Sequence, residues 1–173
     1  MKKRVLLFTG DGKGKTTAAL GMALRAAGHG QRVLIVQWMK ADTQTGELTA
    51  FAHLPGVKMV QMGCGFVPPE QHPAFPKHRD AAEAALAFAT QALASGDWDL
   101  IVLDEICGAI ASHLLREEAV LELLRVPTTT AVVVLTGRGA TPQLIEQADT
   151  VTEMRCLKHG YSCGIKAQAG VEF

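Results

Sequence analysis

The sequence predicts an α/β sandwich built on a mainly parallel sheet, and three observations carry that prediction. Short apolar runs alternate with longer Ala/Leu-rich segments along the chain, the order that successive βα units produce. Several of those runs, 33–38 (V-L-I-V-Q-W) and 131–136 (A-V-V-V-L-T) among them, are apolar almost throughout, as strands covered on both faces are. The first run, 5–8, passes through a glycine-rich stretch into a helix-forming segment. The chain of 173 residues is long enough for a sizeable core and shows no repeat, linker or low-complexity tract, so one domain, 1–173, is expected.

The opening strand, 5–8, leads into T-G-D-G-K-G-K-T-T, residues 9–17, and then the Ala/Leu-rich segment 18–27. Strand, Gly-rich loop and helix in that order is the context a phosphate-binding P-loop requires. Gly10, Gly12 and Gly14 allow positive φ, so that backbone N–H groups turn inward around an anion beside the helix N-terminus. Lys15 is then the phosphate-binding lysine, and the Thr16 hydroxyl is placed to ligate Mg²⁺. Thr9 stands where the pattern G-x-x-x-x-G-K-[ST] has its first glycine. The candidate nucleotide site is therefore Thr9, Gly10, Asp11, Gly12, Lys13, Gly14, Lys15, Thr16 and Thr17. The motif indicates nucleotide binding but not what is done with the nucleotide.

Gly28-His29-Gly30 closes the first helix. Arg25 lies nine residues beyond Thr16, and helix geometry alone leaves it either solvated or turned back towards the phosphates, with solvation favoured. The second strand, 33–38, ends at Met39-Lys40 and gives way to a polar loop, 41–46, and Glu47. Ligands bind beyond the carboxyl ends of parallel strands, which makes Lys40 and Glu47 site candidates. A third strand, 57–62, precedes a Pro/Gly-dense segment, 63–77, which is expected to be a long loop of the lid or binding type. Phe66 within it is either a packing anchor or part of a substrate pocket.

The Ala-rich segment 78–94 is expected to be a helix ending before Ser95-Gly96-Asp97. Residues 99–105 form an apolar strand that delivers Asp104 and Glu105 to the sheet's carboxyl edge beside the P-loop, the arrangement that binds Mg²⁺ directly or through water. Short helices are expected at 107–113 and 116–125, then a buried strand, 131–136. That strand runs into Gly137-Arg138-Gly139, where turn chemistry and close approach of Arg138 to a ligand explain the glycines equally well. A helix at 141–147, a strand at 150–155 and a glycine-punctuated tail, 160–173, complete the chain.

Composition narrows the partners. Lys+Arg and Asp+Glu both number 17 and aromatics are 5%, which argues against a nucleic-acid surface. No apolar run reaches the roughly 20 residues of a membrane span, and Met1-Lys2-Lys3-Arg4 leads straight into a strand, so a cytoplasmic protein is expected. The four cysteines, Cys64, Cys107, Cys156 and Cys163, lack C-x-x-C spacing. Cys156, His159 and Cys163 lack an evident fourth ligand, so ordinary reduced thiols are expected.

With these segments placed, the chain resembles a known family. The carriers are F-T-G-D-G-K-G-K-T-T-A-A-L-G, R-A-A-G-H-G, V-Q-W-M-K, L-D-E, T-G-R-G and the ending G-I-K-A-Q-A-G-V-E-F. In order, over essentially the whole chain, they look like the ATP:cob(I)alamin adenosyltransferases, the cob(I)yrinic acid a,c-diamide adenosyltransferase family of P-loop fold. The resemblance implies a three-layer RecA-like fold, a homodimer, and transfer of the 5′-deoxyadenosyl group of ATP to the Co(I) of a reduced corrinoid with release of triphosphate. It implies Mg²⁺ (or Mn²⁺) on Thr16, Asp104 and Glu105, and an electron-donating flavoprotein reductase as partner. Lys13 and Lys15 would act on the triphosphate, Arg25 would sit near its terminal phosphate, and Phe66 would lie beside the corrin. Two features depart from the family: Pro68 occupies the place of a second aromatic, and the sequence begins at its first strand without the N-terminal extension of better-known members. The rival readings are a P-loop phosphotransferase or ATPase, and a nucleotide-binding carrier of adenosylcobalamin.

Overall fold

A computed structural model describes residues 3–42 and 45–171. Six strands form one sheet: β1 (Arg4–Thr9), β2 (Val33–Gln37), β3 (Val57–Gln61), β4 (Leu100–Asp104), β5 (Val132–Thr136) and β6 (Thr150–Glu153). Their order is β3-β2-β4-β5-β1-β6, and every pairing is parallel. All carboxyl ends therefore face one edge, and the loops that follow the strands share it. The helices are α1 (Lys15–Gly28), α2 (Gly46–Ala52), α3 (Phe75–Ser95), α4 (Ile106–Ala111), α5 (Glu117–Arg125) and α6 (Pro142–Gln147), with a 3₁₀ turn at Gly160–Cys163.

The strand residues divide by parity into two cores, which is why the central strands read as unbroken apolar runs. Val33, Ile35, Leu100, Val102 and Val134 pack with Ala19, Ala23 and Ala26 of α1 and Phe51 of α2. Leu34, Val36, Ile101, Leu103, Val133 and Leu135 pack on the other face with α3, α4 and α5. Alanines at 19, 23 and 26 are buried, so α1 lies close on the sheet, and alanines at 82, 85, 89 and 92 form the buried side of α3. Trp38, just past β2, is 2% exposed and donates from Nε1 to the Ala82 carbonyl at 3.1 Å, fixing α3 across the layer.

Three boundaries differ from the sequence reading. Residues 46–52, expected as loop and Glu47, form α2; its one buried residue, Phe51, supplies too little apolar periodicity to be read locally. Helix α3 begins at Phe75 rather than 78, because Pro76 occupies the first turn, where a missing N–H costs nothing. The loop is therefore 62–74. Strand β6 ends at Glu153 rather than 155, and Met154 and Arg155 turn onto the P-loop. The remaining helices and strands lie within two residues of expectation, and the central sheet is all parallel rather than mainly so.

Candidate active site

The P-loop is held from outside by the segment that follows β6. Met154 donates its N–H to the Thr9 carbonyl at 2.8 Å, and Gly12 donates to the Met154 carbonyl at 2.6 Å. A methyl group at residue 12 would lie 2.6 Å from the Met154 oxygen and 2.7 Å from the Arg155 oxygen, so glycine there is required by close backbone approach. Gly14 has φ of 114° and caps α1, the conformation that turns the loop into the helix. Thr9, in contrast, ends a regular strand and needs no glycine freedom; its Oγ1 accepts from the Ala140 N–H at 3.4 Å.

Lys15 is 7% exposed and donates from Nζ to the carbonyls of Gly10 and Gly12, each at 2.7 Å. Burial pulls its pKa down; Glu105 opposes that pull and Arg138 adds to it. Thr16, in the first turn of α1, donates from Oγ1 to Asp104 Oδ1 at 2.8 Å. Strand β4 is one strand away from β1, so this bond crosses above β5. Thr136, at the end of β5, also donates its hydroxyl to the same Asp104 oxygen, at 2.7 Å.

Asp104 is fully buried, and its other oxygen accepts from Gln37 Nε2 at 2.9 Å. Gln37 in turn accepts from Gln61 Nε2 at 3.1 Å, so the chain of bonds runs from β3 to the P-loop. Three protein donors satisfy this carboxylate and set its orientation. Glu105 behaves differently. It adopts φ of 64° at the start of α4, a left-handed conformation that costs a non-glycine residue about 1–3 kcal/mol. Its N–H donates to Thr136 Oγ1 at 2.9 Å. Its carboxyl pKa is raised by burial first and by Asp104 second, while Lys15, Arg138 and Lys40 draw it back down.

Lys15, Thr16 and Glu105 border a cleft of about 960 Å³ along the carboxyl edge of the sheet. Gly12, Lys13, Gly14, Lys15, Thr16 and Thr17 line it. Lys40, Glu47, Phe66, Glu105 and Arg138 line it too, as do His159, Gly170 and Val171 from the C-terminal segment. Lys40 and Glu47 form an ion pair at 2.6 Å. Phe66 is 97% exposed, which removes the packing-anchor reading and leaves the cleft-lining one. Arg138 also lines the cleft, its flanking Gly137 at φ of 135°.

Other expected residues lie elsewhere. Asp11 and Arg25 are exposed and are not among the residues that line the cleft. Thr9 and Gly10 support the loop from behind, and Asp104 sits beneath the cleft rather than in it. Sequence reasoning misses Gln37, Gln61 and Thr136, and it weighs His159 only as a metal ligand beside Cys156 and Cys163. The signal for Gln37 and Thr136 was present, since each is a polar residue ending an otherwise apolar, two-sided strand. Among the described residues no group of three or more His, Cys, Asp and Glu could hold a metal ion, and Cys156 and Cys163 are free and exposed. Cys107 is buried beside Glu105, and burial pushes its thiol up to about 12.

Residues 1–173 match the family described as ATP:corrinoid adenosyltransferase BtuR/CobO/CobP. The chain is 45% identical to a corrinoid adenosyltransferase of Pseudomonas aeruginosa, over 98% of this chain and 83% of that one. It is 37% identical to the corrinoid adenosyltransferase of Escherichia coli K12 and 38% identical to that of Salmonella typhimurium, in each case over 98% of this chain and 85% of the relative. Among solved structures, the flagellar accessory protein FlaH of Methanocaldococcus jannaschii superposes with a TM-score of 0.57 at 10% identity, over 87% of this chain and 70% of that one. The last likeness is one of fold alone.

Proposed function

The chain belongs to the ATP:corrinoid adenosyltransferase family, and from that premise we propose how its cleft carries out adenosyl transfer. The enzyme is a transferase of adenosylcobalamin biosynthesis or salvage, with ATP and a corrinoid as substrates. The observation that carries the site assignment is the meeting of the P-loop with two different carboxylates, one buried and saturated, one facing the cleft. A phosphotransferase or ATPase shares such a loop, but the match over the whole chain favours adenosyl transfer.

The reaction asks for little acid–base chemistry. The Co(I) of the reduced substrate is itself a strong nucleophile. It attacks C5′ of the ribose, the Co–C bond forms, the C5′–O bond breaks, and the electron pair leaves with triphosphate. The protein's first task is to hold C5′ in line with the cobalt, for which a rigid loop tied to β6 and β4 is suited. Its second is to stabilise charge on the departing triphosphate, which falls to Lys13, Lys15, Arg138 and the loop N–H groups. Its third is to shield the cobalt from water and oxidants, which we assign to the 62–74 loop carrying Phe66.

The residues fit Mg²⁺, which keeps several waters and needs only one or two carboxylates beside the phosphates. Thr16 Oγ1 and Glu105 would hold it, and Asp104 would orient the Thr16 hydroxyl by accepting its hydrogen bond. When bound, the ion would neutralise phosphate charge. The same reading includes a homodimer, a flavoprotein reductase as electron donor and a cytoplasmic location; no helix among the described residues is long and apolar enough to cross a membrane.

Titrating Mg²⁺ against turnover tests the metal assignment. Glu105→Ala should raise the half-saturating Mg²⁺ concentration by about tenfold or more. An unchanged Mg²⁺ dependence would move the metal ligand away from Glu105.

A further inference from the structure

We propose that His159 donates from Nε2 to the terminal phosphate of the nucleotide and is the contact by which the cleft tells a triphosphate from a diphosphate. The inference rests on the adenosyl-transfer reading, with the corrin on the Phe66 side of the cleft.

The tautomer follows from the turn. The Tyr161 N–H donates to His159 Nδ1 at 3.2 Å, so Nδ1 is an acceptor and the neutral ring carries its proton on Nε2. No hydrogen bond among the described residues uses that Nε2 donor, and the half-buried residue lines the same cleft as Lys13, Lys15 and Arg138. The ring is anchored by a folded turn rather than a loose tail. Gly164 donates to the Tyr161 carbonyl and Ile165 to the Gly160 carbonyl, both at 3.0 Å.

Position along the sheet says which part of the substrate it meets. Phe66 follows β3 at one edge of the sheet, and His159 follows β6 at the other. The P-loop follows β1, next to β6, and the Gly12–Met154 bond ties it to the root of the tail. C5′ must face the corrin for the Co–C bond to form, so the triphosphate extends away from Phe66, along the P-loop and towards the tail. Its far end is the terminal phosphate. His159 keeps its proton throughout; it gives a hydrogen bond to phosphate oxygens before and after the C5′–O bond breaks.

Calorimetric titration of ATP, ADP and inorganic tripolyphosphate, each with Mg²⁺ and without corrinoid, tests this. His159→Ala should weaken ATP and tripolyphosphate binding about tenfold or more while changing ADP by less than about threefold. His159→Gln should restore most of the loss, because its amide nitrogen reaches the place of Nε2. His159→Asn should not, because its amide reaches only the place of Nδ1. Equal losses for ATP and ADP, equal behaviour of the Gln and Asn variants, or no loss in any variant would overturn the proposal. A wild-type protein that forms no alkylated corrinoid would instead overturn the transfer reading, and the titrations would still read the phosphate contact.

Discussion

Lys15 and Glu105 illustrate how the cleft strains its own charges. Lys15 is buried, and its pKa is lowered chiefly by that burial. It is the side chain with most to gain from a polyanion. Lys15→Ala removes a charge-assisted contact worth about 1.5–3 kcal/mol, so kcat/KM for ATP should fall at least about tenfold before any transition-state effect. A variant with wild-type kcat/KM would refute the P-loop assignment. Glu105 has the opposite perturbation, a carboxyl raised above its ordinary 4.5 by burial and by Asp104. Between those two pKa values the folded state binds more protons than the unfolded state, so stability declines as pH rises through that window. Glu105→Gln should therefore be more stable than wild type at neutral pH in metal-free buffer, and the gap should close as pH falls below about 4.5. Thermal unfolding across pH checks this, and a pH-independent gap would remove the ionisation argument. Such residues were legible only in part. Glu105 and Lys15 sit in local motifs, whereas Asp104's satisfaction depends on Gln37 and Thr136, which come from strands far apart in sequence.

Elements were legible where local chemistry and tertiary context agree. The first strand, P-loop and α1 carry all their signals within 25 consecutive residues, Arg4 to Gly28. Helix α2 offers one buried side chain, and α3 hides its start behind Pro76. The loop between β3 and α3 was recognised, and its close approach to β2 explains one of its glycines: a methyl at Gly63 would clash with the Trp38 carbonyl. Phe75, at its end, is 5% exposed in the core, so Phe66 is the loop's one aromatic facing solvent. If Phe66 displaces the lower axial ligand of the cobalt unaided, with Pro68 in the second aromatic position, turnover from cob(II)alamin with a weak reductant should fall well below turnover from preformed cob(I)alamin. Phe66→Ala should widen that gap by about tenfold, with ATP binding unchanged. An equal loss with both cobalt states would assign Phe66 to affinity or packing instead.

At the scale of the molecule, alternation of apolar and amphipathic segments announced the α/β class, and six parallel strands bear it out. Strand order was not legible, since the pairing β3-β2-β4-β5-β1-β6 is decided by contacts distant in sequence. That order places β5 between the P-loop strand and the acidic strand, and it sets the segments that follow β3 and β6 at opposite edges of the sheet. Lys13, Lys15, Lys40 and Arg138 line the cleft together with the exposed Phe66. Under the proposed adenosyl transfer, triphosphate leaves whole and its last phosphoryl group is not passed on. Identifying the phosphate product tests that most directly. With ATP, Mg²⁺ and chemically reduced corrinoid, the account predicts intact inorganic triphosphate, formed in a one-to-one ratio with the alkylated corrinoid. Orthophosphate and ADP in place of triphosphate would contradict it.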